Sequence, residues 1–305
     1  MGSWEARYQR SVVELIRARR SCRTFDGRPL APEVQQALAT WLRDPREGPF
    51  GNAVRLGLVE LEPGQWFGAR WGTYGVIKGA HAFLVGAVQH GPMELEDFGF
   101  VFEAAILKAT ELGVATCWLG GTFARSLFAR AVQLGEGELL PAVSPLGYAK
   151  VGATLVDAAF RRLAKSATRK PWAELFFSAE TGSPLSPEEV GSYALALEML
   201  RLAPSASNRQ PWRVWWEPAR SSFHMVLHRT KGYRIPGALD LQRVDMGIAM
   251  CHFALTAREI GLHGRWVRER VTPGRIPADT EYCATWRASE TAPRPGECRN
   301  DDSRG

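Results

Sequence analysis

The chain has 305 residues, of which 45% are hydrophobic and 23% charged, as is typical of a soluble globular protein. No apolar run approaches the roughly 20 residues that span a bilayer, and no signal-peptide core follows Met1, so we expect a cytoplasmic protein without a membrane partner. The five cysteines are dispersed and never form a Cys-x-x-Cys pair, which argues against a disulfide framework or a thiolate metal site.

The formal net charge of +6 raises the question of nucleic-acid binding. The cations lie in short clusters, and no known DNA- or RNA-reading pattern accompanies them. A solvated basic surface explains most of these residues. We therefore expect no nucleic-acid partner. A nucleic-acid-associated protein stays a distant alternative, which strongly salt-dependent retention on DNA would support.

The first half of the chain predicts mixed helices and strands. Apolar residues at helical spacing predict helices over residues 7–19 and 32–43. A third helix over 98–112 starts after Asp97, a good N-cap, and stops at Gly113. Because its apolar residues occur nearly all round, we place it in a core between two halves. The other predicted elements are strands over Leu56–Leu61, Ala82–Val88 and Leu146–Lys150 and helices near 124–132 and 157–165.

The second half predicts a similar succession of elements. These elements are a helix over 187–202, strands over Arg213–Trp216 and Phe223–His228, a helix over 245–260 and a strand over Tyr282–Trp286. Residues 288–305 form a polar tail rich in proline, glycine and charge, which we expect to be disordered.

One folding unit occurs twice in the sequence. At a shift of 148 residues, without an internal gap, the matching positions are Asp97, Gly99, Glu111, Gly113 and Trp118 with Asp245, Gly247, Glu259, Gly261 and Trp266. Pro29-Leu30 falls on Pro184-Leu185 at a shift of 155. This long period favours two fused half-domains, 1–155 and 156–287, over a solenoid. A fused pair can imitate a two-fold homodimer while its halves diverge.

The first motif with chemical content is RRSCRTF at residues 19–25, directly after a predicted helix. Arg19, Arg20, Ser21 and Arg23 suit a phosphate monoester, because guanidinium groups pair bidentately with its oxygens and keep their charge. Basic residues at a helix C-terminus also complement the helix dipole, and the motif alone leaves that alternative open.

Two further motifs offer hydrogen-bonding groups to a ligand. APSASNRQPW at residues 203–212 places hydroxyl and amide side chains where they can flank a flat polar heterocycle; the alternative is an ordinary turn with a helix-stopping proline. TCWLGG at residues 116–121 ends in Gly120-Gly121, which allow backbone N–H groups to approach a ligand closely; the alternative is a flexible turn.

Each motif is present in only one half. The positions of the second half that match the arginine motif are Glu174, Phe176 and Ser178. The first-half counterpart of the hydroxyl and amide loop keeps only Asn52, and the paired glycines fall on Arg268-Glu269. This pattern predicts one composite site at the interface of the two halves, with its twin decayed.

These motifs, together with GTYGVIKGAH (72–81), the segment 97–123 and LQRVDMGIAMCHF (241–253), resemble the FMN-dependent nitroreductase family, specifically its single-chain fused type. The likeness spans about residues 9–287. It implies an α+β, nitroreductase-like fold. Two fused half-domains, each with a mainly antiparallel sheet flanked by helices, would form an intramolecular pseudo-dimer, and we expect a monomer.

The resemblance also implies roles for particular residues. The phosphate end of FMN would lie at Arg19, Arg20 and Ser21, with Arg23 toward the pyrimidine edge. Relatives often add basic residues late in the unit to the phosphate site, and the nearest match here is Arg169 and Lys170. The loop that a partner subunit supplies in relatives matches Pro204, Ser205, Ser207 and Asn208, here in the same chain.

Backbone groups near the glycines complete the implied site. Leu119 and Gly120, followed by Gly121, would offer a backbone N–H to flavin N5, although many relatives have an acidic residue where this chain has Leu119. Thr73, Tyr74 and Lys78 lie in the segment that borders the pyrimidine ring in relatives.

The implied function is an oxidoreductase with one FMN per chain. Hydride would pass from NAD(P)H to flavin N5, and a small acceptor such as a nitroaromatic or a quinone would then take the electrons in a ping-pong sequence. The chain offers no obvious catalytic acid or base, and its six histidines have neither nucleophile nor metal spacing. Trp118 and Trp212 could shape the acceptor pocket or simply pack in the core. The alternative function is a non-catalytic flavin-binding redox sensor or flavin store.

Overall fold

The computed structural model describes residues 8–60, 77–121, 123–152, 168–233, 239–269, 277 and 280–289. Within these ranges the chain forms six α-helices and eleven β-strands, and the strands make two sheets. None of the described helices is both long enough and apolar enough to cross a membrane.

The first sheet belongs to the first half. Its strands run in the order β1-β2-β3-β6-β4, with β5 also pairing with β3, and every pairing is antiparallel. The elements of this half are α1 (Val12–Ala18), α2 (Pro32–Leu42), β1 (Arg46–Glu47), β2 (Ala53–Glu60), β3 (Ala82–Gln89), α3 (Glu94–Glu111), β4 (Ala115–Thr116), α4 (Arg125–Ala131), β5 (Glu138–Leu139) and β6 (Val143–Gly147).

The second half repeats this order. Its elements are β7 (Phe176–Ser178), α5 (Ala194–Arg201), β8 (Trp212–Glu217), β9 (Ser222–Leu227), α6 (Leu241–Glu259), β10 (Gly264–Val267) and β11 (Glu281–Ala288). Strand order is β10-β11-β9-β8-β7, in which only β7 pairs in parallel. The sequence β8-β9-β11-β10 therefore matches β2-β3-β6-β4 of the first sheet. The repeated order supports the duplication that the sequence indicates.

The two halves meet where α3 crosses α6. A Cβ atom added to Gly99 would collide with the carbonyl oxygen of Val244, and one added to Gly247 would collide with that of Glu96. Gly99 and Gly247, like Glu96 and Val244, stand 148 residues apart, so each half makes the same contact with the other, as in a two-fold dimer. The α+β fold with an intramolecular pseudo-dimer is confirmed.

The predicted start of α3 is wrong. The helix begins at Glu94, so Asp97 lies inside its first turns, fully buried. Its carboxylate accepts hydrogen bonds from the Phe50 N–H and from the Asn52 N–H, both at 2.9 Å, and from Asn52 Nδ2 at 2.8 Å. Asp97 is therefore an anchor for the turn at residues 48–52 rather than an N-cap, because a distant segment occupies its oxygens.

Other predicted boundaries also shift. Helix α6 begins four residues before its predicted start at 245, and α5 begins at Ala194 after a 3-10 turn over Gly191–Tyr193 rather than at 187. Strand β6 begins at Val143 and ends at Gly147, so it overlaps the predicted Leu146–Lys150 only at its first two residues. The predicted helix at 157–165, the boundary at 155/156 and residues 290–305 of the predicted tail lie outside the described residues.

Candidate functional site

A cavity of about 720 Å³ opens at the seam between the two halves. Its lining from the first half consists of Ile16, Arg17, Arg19, Arg20, Ser21, Arg23, Trp118, Gly120 and Ala142. Its lining from the second half consists of Arg169, Leu202, Pro204, Ser205, Ala206, Ser207, Asn208, Leu241, Val244, Asp245 and Ile248. The cavity thus brings the arginine motif and the hydroxyl and amide loop together, as the sequence predicts.

Arg19 is a buried cation in the first wall. Helix α1 ends because Arg19 leaves the helical region at ψ 128°, which directs the following residues along the cavity. The side chain is 7% exposed, and its Nε and Nη1 atoms make no hydrogen bond with the described residues. Burial lowers the pKa of Arg19, and the nearby carboxylate of Glu103 opposes that effect. A buried guanidinium with unused donors fits an anionic ligand.

Arg20 has two roles at the mouth of the same wall. Its exposed guanidinium donates to the carbonyl oxygens of Arg17 and Arg19 at the end of α1, at 2.9 Å in the second case. These bonds are those expected of a cation at a helix C-terminus. Arg20 also lines the cavity, so the capping alternative and the binding prediction are compatible.

Arg169 brings a cation from the other side. Its Nη2 donates to the Leu202 carbonyl at 3.1 Å and its Nη1 to Asn208 Oδ1 at 3.2 Å, which links it to the loop. Burial, followed by the like charges of Arg19, Arg201 and Arg20, lowers its pKa to about 10. Guanidinium groups from both halves therefore crowd one space, and a bound anion would relieve their repulsion.

The loop over residues 203–210 forms the second wall and is held in a strained shape. Ser207, Asn208 and Gln210 have φ values of 50°, 53° and 49°. Such left-handed backbone in residues other than glycine costs on the order of 1–3 kcal/mol each and clusters at functional sites. The Ala206 N–H donates to Asp245 Oδ1 and the Gln210 N–H to Ser205 Oγ, each at 2.9 Å. These bonds hold the loop in place, and its four predicted residues line the cavity: Pro204, Ser205, Ser207 and Asn208.

One face of α6 contributes residues that the sequence analysis missed. Leu241, Val244, Asp245 and Ile248 follow helical spacing and line the cavity together. That spacing is also the signature of a core-facing helix, so nothing in the sequence separates the two possibilities. Burial raises the pKa of Asp245 well above its usual range, and the neighbouring Asp240 adds to the shift. Ile16 was missed for the same reason, and Arg17 was missed because it precedes the motif that begins at Arg19.

Several predicted residues do not lie where the resemblance places them. Leu119 is buried, and its N–H donates to the Val143 carbonyl at 2.9 Å, so that donor is already used and only Gly120 of the pair lines the cavity. Gly121, Lys78, Lys170 and Trp212 are absent from the cavity lining. The Lys170 N–H instead donates to the side chain of Gln210 at 2.8 Å. Thr73 and Tyr74 lie outside the described residues.

The twin positions in the other half carry different groups. Val244 matches Glu96, a buried carboxylate that pairs with Arg243 Nη1 at 2.7 Å. Gly120, whose added Cβ would lie 2.6 Å from the Leu241 side chain, matches Arg268. Among the described residues, no cluster of three or more His, Cys, Asp or Glu side chains is arranged to hold a metal ion. In the cavity lining, the guanidinium-bearing residues Arg19, Arg20 and Arg169 occur together with the apolar residues Ile16, Leu241 and Ile248.

Comparison with known proteins gives a related fold. A "putative nitroreductase" from Thermotoga maritima MSB8 is similar over 93% of this chain and 95% of that one, with 19% identity and a TM-score of 0.56. A nitroreductase family protein from Clostridium difficile 630 has 20% identity over 53% of this chain and 94% of that one, with a TM-score of 0.40. A nitroreductase with bound FMN from Desulfitobacterium hafniense DCB-2 has 21% identity over 48% and 93%, with a TM-score of 0.36.

No curated protein matches the chain. The likeness to the structure from Thermotoga maritima, at 19% identity, shows the fold alone. The family model described as "Putative TM nitroreductase" matches residues 11–257, which is most of the sequence. The chain therefore belongs to this nitroreductase family.

Proposed function

We propose that the chain is an FMN-dependent oxidoreductase that passes electrons from NAD(P)H to a small organic acceptor, such as a nitroaromatic or a quinone. The observation that carries this proposal is the meeting of Arg19, Arg20 and Arg169 with the strained loop around one cavity. The donor and the acceptor would use that cavity in turn, which gives a ping-pong sequence.

The residues present fit FMN as a ligand. A phosphate monoester needs charge-assisted donors. Arg19, Arg20, Ser21 and Arg169 line the same cavity, and the charges of Arg19 and Arg20 act on Arg169. A flat heterocycle needs hydrogen-bonding groups at its edge, which Ser205, Ser207 and Asn208 can supply. A volume of about 720 Å³ lies within the range of roughly 300–1,000 Å³ that is usual for cofactor sites.

FMN, when bound, supplies hydride acceptance and donation at N5, and the protein supplies binding, orientation and electrostatics. Arg19, Arg20, Ser21 and Arg169 would hold the phosphate end. Gly120 has no side chain, and a Cβ atom there would collide with the side chain of Leu241. Its backbone N–H would donate to the flavin ring. Arg23 adds positive potential, which favours negative charge that grows on a ligand during reduction.

Apolar side chains would exclude water from the reacting face. Ile16, Leu241 and Ile248 line the cavity from both halves, and Trp118 closes another part of it. Exclusion of water strengthens the interactions of the arginines and protects reduced intermediates from side reactions. We infer a monomeric enzyme with one cofactor per chain, since both walls of the cavity come from the same polypeptide. We further propose that it works in the cytoplasm.

An absorbance spectrum of the purified protein tests the proposal. We expect a flavin spectrum that bleaches within minutes when NADH or NADPH is added without oxygen, and that recovers when a nitroaromatic or a quinone follows. A colourless protein that does not bind added FMN would contradict cofactor binding. The other candidate function is a flavin-binding redox sensor or store, since the cavity residues account for binding alone; a yellow protein that no nicotinamide bleaches over hours would favour it.

A further inference from the structure

A chain of buried polar groups crosses the seam behind the cavity wall. Glu103 on α3 and His252 on α6 are both 0% exposed, and their Oε1 and Nε2 atoms lie 2.9 Å apart. His252 Nδ1 lies 3.0 Å from the carbonyl oxygen of Met199. The Trp118 indole N–H donates to Glu103 Oε2 at 2.7 Å, and Arg19 Nε lies 3.9 Å from Glu103 Oε1. The side chains of Trp118 and Arg19 both line the cavity.

The hydrogen bonds of His252 determine how many protons this pair holds. A carbonyl oxygen can only accept, so Nδ1 must carry a hydrogen toward Met199. The contact of 2.9 Å between Nε2 and a carboxyl oxygen needs a second proton, on one atom or the other. The pair is then either imidazolium with carboxylate or imidazole with carboxylic acid. Its net charge is zero in both forms.

We propose that Glu103 and His252 are positioning residues that fix Trp118 and Arg19 in the cavity wall while leaving the charge of Arg19 available to an anionic ligand. A carboxylate beside Arg19 would ordinarily neutralise it. Here the shared proton already balances that carboxylate. Arg19 Nε approaches Glu103 Oε1 only at ion-pair distance, 3.9 Å, and the Nε and Nη1 atoms of the guanidinium make no hydrogen bond with the described residues.

The symmetry-related positions on α3 and α6 hold no equivalent pair. At the shift of 148 residues, Glu103 corresponds to Cys251 and His252 corresponds to Ala104. Trp118 corresponds to Trp266, whose indole N–H donates to the backbone carbonyl of Met250 at 3.1 Å and which packs in the core. A tryptophan at this position therefore needs no acidic partner in order to pack. The pair occurs only on the side that has the arginine-lined cavity.

Flavin binding by charge variants tests the proposal, which in this arm rests on the proposed function. The dissociation constants of FMN and of riboflavin, which lacks the phosphate, are measured by fluorescence at pH 8. In His252→Gln the imidazole that shares a proton with Glu103 is gone, and Arg19 is then the cation nearest to Glu103 in this group of side chains. We expect FMN affinity to fall about tenfold or more, while riboflavin affinity changes less than about twofold.

The remaining variants separate charge from packing. Glu103→Gln keeps the pair neutral, so FMN affinity should stay within about threefold of wild type, and the double variant should recover most of the loss seen in His252→Gln. His224→Gln is the matched control, because His224 is another buried histidine that contacts a glutamate, Glu217, at 3.0 Å. That variant should leave the ratio of FMN to riboflavin affinity unchanged.

The outcomes that overturn the proposal are specific. An unchanged affinity ratio in His252→Gln, no recovery in the double variant, or FMN binding about tenfold tighter in Glu103→Gln would each do so. If His252→Gln does not fold, the Glu103→Gln arm still decides. If wild type binds neither flavin, the proposed function fails. The number of protons held by Glu103 and His252 is then tested separately by ¹⁵N NMR of labelled histidine. A His252 Nδ1 without a hydrogen would refute the proposed sharing of a proton.

Discussion

Within the arginine motif, Arg20 and Arg23 are the cations whose removal disturbs the core least, because neither side chain is buried. Arg19, in contrast, is buried, and its Nε lies 3.9 Å from Glu103 Oε1. Each hydrogen bond to a charged group contributes about 1.5–3 kcal/mol of free energy. The two outer arginines therefore offer a test of binding that leaves the fold intact.

Replacing both residues, in Arg20→Ala and Arg23→Ala combined, should reduce FMN affinity by at least about a hundredfold, so that the protein is purified without cofactor. Flavin content per chain and a fluorescence titration measure this effect, and circular dichroism checks the fold. Arg43→Ala is the control, since Arg43 is exposed and outside the cavity. Equal flavin content in the double variant and the control would remove the site assignment.

Asp97 predicts a pH dependence of stability. Burial raises its pKa to about 6, although hydrogen bonds from Phe50 and Asn52 oppose the shift. A carboxyl group whose pKa is higher in the folded chain than in the unfolded chain binds protons more tightly when folded, so its contribution to stability is lost as pH rises. The loss falls between about pH 4, near the unfolded pKa, and about pH 6.

Urea unfolding of wild type and Asp97→Asn between pH 4 and pH 7 measures this contribution. The difference in unfolding free energy, wild type minus variant, should fall by about 2–3 kcal/mol over that range, because the variant has no titrating group at this position. A difference that stays constant with pH would show that Asp97 is not buried as a carboxyl of raised pKa.

At the residue scale, the sequence predicts which side chains line the cavity better than it predicts which backbone groups are available to a ligand. Arg19, Ser205 and Asn208 line one cavity, as the sequence predicts, because their chemistry is visible in the residue type and its motif. Leu119 was misplaced, because its role depends on whether its N–H is already paired, and strand pairing with Val143 decides that. Asp97 was misread for a similar reason, since a segment about 45 residues earlier occupies its carboxylate.

At the element scale, the crossing of α3 and α6 is the contact most sensitive to substitution. Gly99→Ala and Gly247→Ala would each press a methyl group against a backbone carbonyl that cannot rotate away. Each variant should lose about 1–3 kcal/mol of unfolding free energy, or more if the helices cannot separate. Thermal and urea unfolding measure the loss.

Gly57→Ala is the matched control for these variants. Gly57 lies in β2, and nothing stands within 4 Å of an added Cβ. It should change stability by less than about 0.5 kcal/mol. If the two helix variants were as stable as this control, the close crossing would be refuted.

Long elements were predictable, and short ones were not. The cores of α3 and α6 and strands β3 and β9 follow clear apolar patterns over many residues. Strands β1, β4 and β5 have two residues each, which is too few to show a period. Helix α5 is shorter than its pattern because turns replace its predicted first residues, where tertiary packing outweighs local propensity.

At the scale of the whole molecule, the unequal halves predict the stoichiometry of the cofactor. Only one side of the seam has the arginine motif and the hydroxyl and amide loop, while Glu96 pairs with Arg243 at the matching place on the other side. Purified protein should bind close to one FMN per chain. Light scattering should give a mass near the 33.8 kDa of one chain. Two FMN per chain would contradict the single composite site, and a mass near twice that value would contradict the expected monomer.

Since Arg19 and Asn208 face one cavity from opposite halves of a single polypeptide, the encounter between those walls is intramolecular. An enzyme whose pocket lies between separate subunits loses it by mass action when the protomer becomes scarce. Covalent linkage replaces that dependence with a fixed effective concentration. The specific activity of this chain should thus be insensitive to dilution into the nanomolar range, provided that cofactor is kept in excess.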